Sequence, residues 1–199
     1  MVPFFLVSAL STWVAVASLA PGDAAPLFHA TDTDGTVHDL GKLCAAGPVL
    51  LVFYPRAFTG TCTRELTAYG ASHADFAAIG AQILAISADE PDAARQFRLE
   101  LKAPYPFIAD VEGRIIRLYD VKTFLLTMAK RVTFVIDRQC RIGQIMAGDA
   151  AVDIVGALAA ARALAGDVSP TGAAPPHRTE APAGAPAATK TGSSSSAVP

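Results

Sequence analysis

The chain has 199 residues, 52% of them hydrophobic and 17% charged, with a formal net charge of −2. That length allows one domain with appendages. A near-zero charge without basic blocks argues against a nucleic-acid binder held by phosphate contacts.

Residues 1–20 hold no charged side chain and are dominated by Phe4, Phe5, Leu6, Leu10, Trp13, Val14 and Val16. Three readings stay open for this apolar leader. It is a signal peptide with the small-x-small run Ala15-Val16-Ala17 at its cleavage site, although no Lys or Arg precedes the apolar run. It is an uncleaved anchor, since about 20 apolar residues span a bilayer. Or the start is assigned too early and the working protein begins near Ser18. The first two readings place the protein outside the cell or on a membrane, the third in the cytoplasm.

The domain proper is expected over residues 21–165. Leu27–Thr31 and Thr36–Leu40 flank Asp32-Thr33-Asp34-Gly35, the pattern of a hairpin turned at Asp-Gly. Pro48–Tyr54 is apolar throughout, as a strand covered on both faces would be. Pro55 ends it, and a helix is predicted from about Thr61 with Leu66, Tyr69, His73 and Phe76 on one stripe. Ala81–Ser87 reads as a second buried strand, and Pro91 opens a helix running to about Lys102. Ile108 and a short helix around Ile115, Ile116 and Leu118 follow. Val132–Ile136 and Ile142–Met146 bracket a second hairpin turn, and a last helix carries Ile154, Leu158, Ala161 and Ala165 on one face.

The order is strand, helix, strand, helix, hairpin, helix. It predicts a mixed α/β sheet between helices, its first two central strands parallel and its final hairpin antiparallel, which is the thioredoxin-like plan. Residues 166–199 contain eight Ala and six Pro but no Leu, Ile, Phe, Met, Trp or Tyr. Such a segment cannot bury enough apolar surface to offset the entropy of ordering it, and a disordered Ala/Pro/Ser-rich tail is expected.

The three cysteines, Cys44, Cys62 and Cys140, are too few for a disulfide scaffold and include no C-x-x-C pair. No His lies at metal-ligand spacing to them, so no metal site is expected. Neither G-x-G-x-x-G nor a G-K-[ST] loop is present, and nothing in the sequence asks for a cofactor. Cys62 sits in the first turn of a helix that begins at the carboxyl end of a sheet strand. Unpaired N–H groups and the positive helix end favour a thiolate there. On position alone, a reactive thiol and a small buried hydrophobe both remain open.

The loop around it adds a spacing. Pro55-x-x-x-Thr59-x-x-Cys62 resembles the active-site motif of the peroxiredoxins, the AhpC/TSA family of thiol peroxidases. The longer run Ala57-Phe58-Thr59-Gly60-x-Cys62-x-x-Glu65-Leu66 looks most like its one-cysteine AhpE-like branch. Pro21-Gly22-Asp23-x-Ala25-Pro26-x-Phe28 is similar to the family's opening segment. Ile86-Ser87-Ala88-Asp89 is similar to the end of its next strand, and Arg131-Val132-Thr133-Phe134-Val135-Ile136-Asp137 to its late strand. The likeness covers about residues 21–165.

The resemblance implies a thioredoxin-like fold with a peroxiredoxin-type N-terminal hairpin, and a peroxidase that reduces hydrogen peroxide or organic hydroperoxides. Cys62 aligns with the peroxidatic nucleophile, which becomes a sulfenic acid. Thr59 and Arg131 align with the residues that hold peroxide and thiolate, and Pro55 with the residue that shields the thiolate from water. Such donors suit the charge that builds on the leaving oxygen. Glu65 either orients the arginine or is simply well placed at a helix N-terminus. Without the resemblance, Lys130-Arg131 reads as a solvated charge pair. Arg56 and Arg64 are expected to shape the field of the loop, and His73 to pack half-buried.

The sequence departs from much of the family over recycling. One common subgroup carries its resolving cysteine five residues beyond the first, where this chain has Thr67. Cys44 and Cys140 lie a strand's length from the loop. If the strands after Cys44 and before Cys140 are antiparallel neighbours, as in the thioredoxin plan, both thiols fall at the opposite pole. They are then candidates for a structural disulfide in an exported protein. The expected partners are a peroxide and an external reductant, either a thioredoxin-, mycoredoxin- or glutaredoxin-type protein or a small thiol. The family also pairs as homodimers, though no residue pattern here fixes that. A thiol–disulfide oxidoreductase would need a second cysteine near Cys62. A non-catalytic binding or holdase module would leave Thr59 and Arg131 unexplained.

Overall fold

Asp32 turns the first hairpin with its own side chain: Oδ1 accepts the N–H groups of Asp34 and Thr36, each at 2.9 Å. Gly35 takes the left-handed φ of +89° that this turn requires. The strands on either side are β1 (His29–Thr31) and β2 (Val37–Asp39), paired antiparallel. The second strand is shorter than the sequence suggests, because Asp39 caps a helix that the pattern does not announce. That helix is α1 (Leu40–Ala46), with the Asp39 carboxylate accepting from the Lys42 N–H at 3.3 Å. Cys44 lies in this helix.

The remaining elements are β3 (Val49–Phe53), α2 (Gly60–Ala71), α3 (His73–Ala78), β4 (Gln82–Ser87), α4 (Pro91–Leu101), β5 (Phe107–Ala109), α5 (Arg114–Leu118), β6 (Val132–Ile136), β7 (Ile142–Ala147) and α6 (Ile154–Ala165). The structure, a computed structural model, describes residues 18–124 and 127–166. Residues 1–17 of the expected leader and 167–199 of the expected tail lie outside the described residues.

One predicted helix is two. Ser72 adopts φ −93° and ψ 4° between α2 and α3, and its carbonyl accepts from Asp75 at 3.0 Å and Phe76 at 3.2 Å. Leu66, Tyr69 and Phe76 are all buried. The stripe of apolar positions thus reports a common buried side, which survives the backbone turn at Ser72. His73 is half-buried, its ring stacked on Tyr105 with centroids 6.3 Å apart.

Five strands form the central sheet in the order β5-β4-β3-β6-β7. β3 and β4 are parallel, as are β4 and β5, whereas β6 runs antiparallel to both β3 and β7. The mixed sheet flanked by helices is the thioredoxin-like architecture expected from the element order. Every residue of β3 is buried, and alternate side chains divide between the two faces. Leu50, Val52 and Tyr54 pack with Leu66, Tyr69, Phe97 and Ala157 from α2, α4 and α6. Val49, Leu51 and Phe53 pack with Leu40, Cys44, Ile115 and Ile116 from α1 and α5.

The entry into β3 is sterically closed. A Cβ at Gly47 would meet the backbone carbonyl of Gly80, which cannot rotate away as a side chain would. Gly47→Ala is expected to lower unfolding stability by roughly 1–3 kcal/mol, the usual range for overpacking. Urea denaturation measures this, and an unchanged midpoint would contradict the packing.

Candidate active site

The register of the sheet brings two distant segments to one pole. β3 and β6 pair Phe53 with Val132 and Val49 with Ile136. The residues just beyond this pairing are Tyr54 and Arg131, so Arg131 stands beside the point where β3 gives way to the Pro55–Thr59 loop. Thr133 and Val135, two and four residues on, lie on the face of β6 that packs toward α2 and α6. By strand alternation, Arg131 shares that face.

Cys62 lies in the first turn of α2 and is fully buried. Thr59 is the N-cap, and its carbonyl accepts from the Thr63 N–H at 2.9 Å. The N–H groups ahead of that bond have no helical carbonyl behind them and project toward the cysteine end of the helix. Two tyrosines tie α2 to the body of the protein. The Tyr105 hydroxyl donates to the Leu66 carbonyl at 2.6 Å, and the Tyr69 hydroxyl reaches Thr133 Oγ1 at 3.4 Å.

Arg131 joins the two acids of the site. Its Nη2 donates to Cys62 Sγ at 3.2 Å, and its Nη1 forms an ion pair with Glu65 Oε2. Glu65 is fully buried, and its other oxygen, Oε1, has no hydrogen-bond partner. Burial pushes the Glu65 carboxyl up to about 7, with the Arg131 charge and hydrogen bond offsetting only part of that rise. Burial pulls Arg131 the other way, but its hydrogen bond to Cys62 and the Glu65 charge leave its pKa raised. The guanidinium stays charged between them.

The other expected residues are placed as follows. Pro55 is half-buried at the end of β3. Thr59 is exposed, with its hydroxyl donating to the Arg56 carbonyl at 3.0 Å rather than to the sulfur. Arg56 and Arg64 are exposed flankers. Cys44 and Cys140 are free thiols, away from Cys62 and against the opposite face of the sheet. Burial raises the Cys44 thiol pKa, and the neighbouring Cys140 side chain raises it further. Among the described residues, no group of three or more His, Cys, Asp or Glu is placed to hold a metal ion.

Sequence reasoning met Asp89 in the family-like run Ile86–Asp89 but gave it no role. Its Oδ2 accepts from the Ala57 N–H at 2.8 Å and from the Ser87 hydroxyl at 2.9 Å, tying the Cys62 loop to the end of β4. The available signal was the Ser-x-Asp run that starts on the last residue of a buried strand.

The AhpC/TSA family model matches residues 21–145. A Mycobacterium tuberculosis protein named as a peroxiredoxin is 32% identical over 135 residues, covering 66% of this chain and 88% of the relative. The chloroplastic peroxiredoxin Q of Oryza sativa subsp. japonica is 31% identical over 121 residues, or 60% of this chain and 55% of the plant protein. Among solved structures, the peroxidoxin BcpB of Mycobacterium tuberculosis superimposes with a TM-score of 0.69 at 32% identity, covering 73% of this chain and 98% of that one. A Xanthomonas campestris peroxiredoxin Q, at 23% identity and a TM-score of 0.64, covers 69% of this chain and 91% of that one and shares the fold.

The raised Glu65 pKa links the site to stability. A carboxyl that holds its proton more tightly when folded stabilises the fold fully below its ordinary value of 4.5, and that stabilisation is lost as pH rises through about 7. Between pH 4.5 and 8, the wild type is therefore expected to lose on the order of 3 kcal/mol relative to Glu65→Gln, which cannot ionise. Urea unfolding of both proteins across that range reads the gap. A gap independent of pH would mean that Glu65 titrates normally.

Proposed function

The chain belongs to the AhpC/TSA family and is a thiol-dependent peroxidase, and from that premise we propose that Cys62 is the peroxidatic nucleophile, served by Arg131, Thr59, Glu65 and Pro55. The observation that carries this assignment is the Arg131 guanidinium 3.2 Å from Cys62 Sγ.

In this reading the Cys62 thiolate attacks one peroxide oxygen. An S–O bond forms as the O–O bond breaks, the sulfur is oxidised by two electrons to a sulfenic acid, and the leaving oxygen departs as hydroxide or alkoxide to take up a proton. Charge develops on that leaving oxygen, and Arg131 together with the first-turn N–H groups of α2 supplies the donors for it. The Thr59 hydroxyl, exposed at the N-cap of α2, is able to turn from the Arg56 carbonyl toward the peroxide. Pro55 closes the strand end without adding a backbone N–H, which limits the water drawn to the sulfur. Glu65 fixes the guanidinium from behind through its ion pair.

The cycle closes through an external thiol. Its sulfur attacks the sulfenic sulfur, water leaves, and a second thiol releases Cys62 from the mixed disulfide. The reductant class fitted to a site without a neighbouring cysteine is a thioredoxin-, mycoredoxin- or glutaredoxin-type protein, or a small thiol. Cys44 and Cys140 stand apart from this cycle as a candidate structural disulfide. What supports that pairing is that both thiols pack in the layer of α1 and α5, where the Cys140 side chain helps raise the Cys44 pKa.

Stopped-flow mixing of the reduced protein with hydrogen peroxide, followed by mass spectrometry, tests the assignment. Oxidation is expected at Cys62, none in Cys62→Ser, and a rate lower by about 10²–10³ in Arg131→Ala, the usual loss for one oxyanion donor. An unoxidised Cys62, or an Arg131→Ala protein that reacts at the wild-type rate, would defeat it. For the second pair, non-reducing peptide mapping of the protein from its natural source is expected to recover a Cys44–Cys140 cross-linked peptide. Recovery of both as free thiols removes the disulfide.

A further inference from the structure

The Pro55–Thr59 loop contains a residue that does not hold its conformation unaided. Phe58 has a φ of +59°, the left-handed region that an aromatic residue seldom adopts, and its side chain is 49% exposed. Such a residue persists only where its surroundings over-determine it. Two contacts do so. On its side-chain side, the Phe58 ring lies against Phe97 of α4, with centroids 5.0 Å apart. On its backbone side, the preceding residue, Ala57, is buried and donates its N–H to Asp89 Oδ2 at 2.8 Å. The carboxylate is itself aimed from β4. The Ser87 hydroxyl donates to Oδ2 at 2.9 Å, and the Asp89 N–H donates back to Ser87 Oγ at 3.3 Å, closing a small ring at the strand end. Ser87 is fully buried and paired in the ladder with Ala109, so the ring is anchored to the sheet.

From these contacts, and resting on the assignment of Cys62 as the nucleophile, we propose that Asp89 is a positioning residue for peroxide reduction. It touches neither sulfur nor peroxide. By fixing the Ala57 N–H, it holds Phe58 in the left-handed conformation, and Phe58 in turn sets where Thr59 and the first turn of α2 begin. Without that acceptor, Phe58 relaxes toward an ordinary φ, and Thr59 and the helix-end N–H groups move relative to Arg131. Arg131 does not follow, because it leads directly into β6 and its carbonyl is bonded to the Gly148 N–H. The reaction with peroxide needs these donors and the sulfur in one arrangement, whereas alkylation of the same sulfur needs only access and a thiolate.

The experiment compares wild type, Asp89→Ala, Asp89→Asn and Ser87→Ala. Two rates are measured at Cys62 by mass spectrometry: oxidation by hydrogen peroxide and alkylation by iodoacetamide. Asp89→Ala is expected to oxidise about 10²-fold more slowly, the loss typical of a displacement near 1 Å, while its alkylation is no slower than wild type. Asp89→Asn keeps an oxygen acceptor for Ala57 and is expected to stay within about tenfold of wild type. Ser87→Ala, which frees the carboxylate to rotate, falls between the two.

Equal oxidation rates in wild type and Asp89→Ala would overturn the proposal. So would parallel losses in both reactions, which would mark general damage to the thiol, or an Asp89→Asn protein as slow as Asp89→Ala. If Asp89→Ala does not fold, Asp89→Asn and Ser87→Ala decide: Ser87→Ala slower than Asp89→Asn in oxidation alone supports positioning, and any other order removes it. A wild-type protein with no oxidation at Cys62 defeats the nucleophile assignment itself, and the role of Asp89 falls with it.

Discussion

A single guanidinium holds two acids in a place where neither would otherwise sit. Cys62 and Glu65 are both fully buried, and Arg131 is bonded to each. Removing a carboxylate from water is tolerable only when a partner of opposite charge is supplied with good geometry. That partner comes from the residue just before β6, 66 residues away from Glu65 in sequence. Its position depends on the β3–β6 register. A slip of one residue would turn the Arg131 side chain to the other face of the sheet and leave both acids without their cation. The antiparallel pairing of these two strands is thus as much a part of the site as the loop that carries the cysteine.

The local half of this arrangement was legible in the residues. A fully apolar strand, the proline that ends it and a cysteine in the first turn of the next helix follow from short-range rules of periodicity and capping. Arg131 was not legible in that way, because a basic residue before a strand has the same local signature whether it faces solvent or a buried thiol. Only its likeness to a family segment singled it out. Helix α1 escaped because it is seven residues long and begins where the strand pattern of β2 still continues. The division of α2 from α3 escaped because apolar spacing records which side is buried and is blind to one non-helical residue. The role of Asp89 escaped for another reason: the partner is a backbone N–H 32 residues away, and a backbone group has no letter in a sequence.

The site rests on a small number of long-range polar contacts set in an apolar frame. Tyr54, Phe97, Phe107 and Tyr105 pack on one another with centroid separations of 5.6 to 6.2 Å along the face of the sheet that carries α2. Such aromatic packing is rigid, because buried rings have few alternative rotamers at interior density. The hydroxyl of Tyr105 then reaches from this frame to the Leu66 carbonyl, so the helix bearing Cys62 is fastened both by apolar area and by a specific bond. Loop and helix are one continuous stretch of chain and the arginine comes from a distant one, and the aromatic layer holds that helix against the sheet.

The sheet also acts as a partition. Cys62 packs with the layer of α2, α4 and α6, while Cys44 and Cys140 pack in the layer of α1 and α5. Between them stands β3, buried along its whole length and bonded on both edges. A sulfur on one side cannot meet a sulfur on the other without dismantling that wall. The folded molecule therefore keeps its thiols in two compartments, one on each side of the sheet.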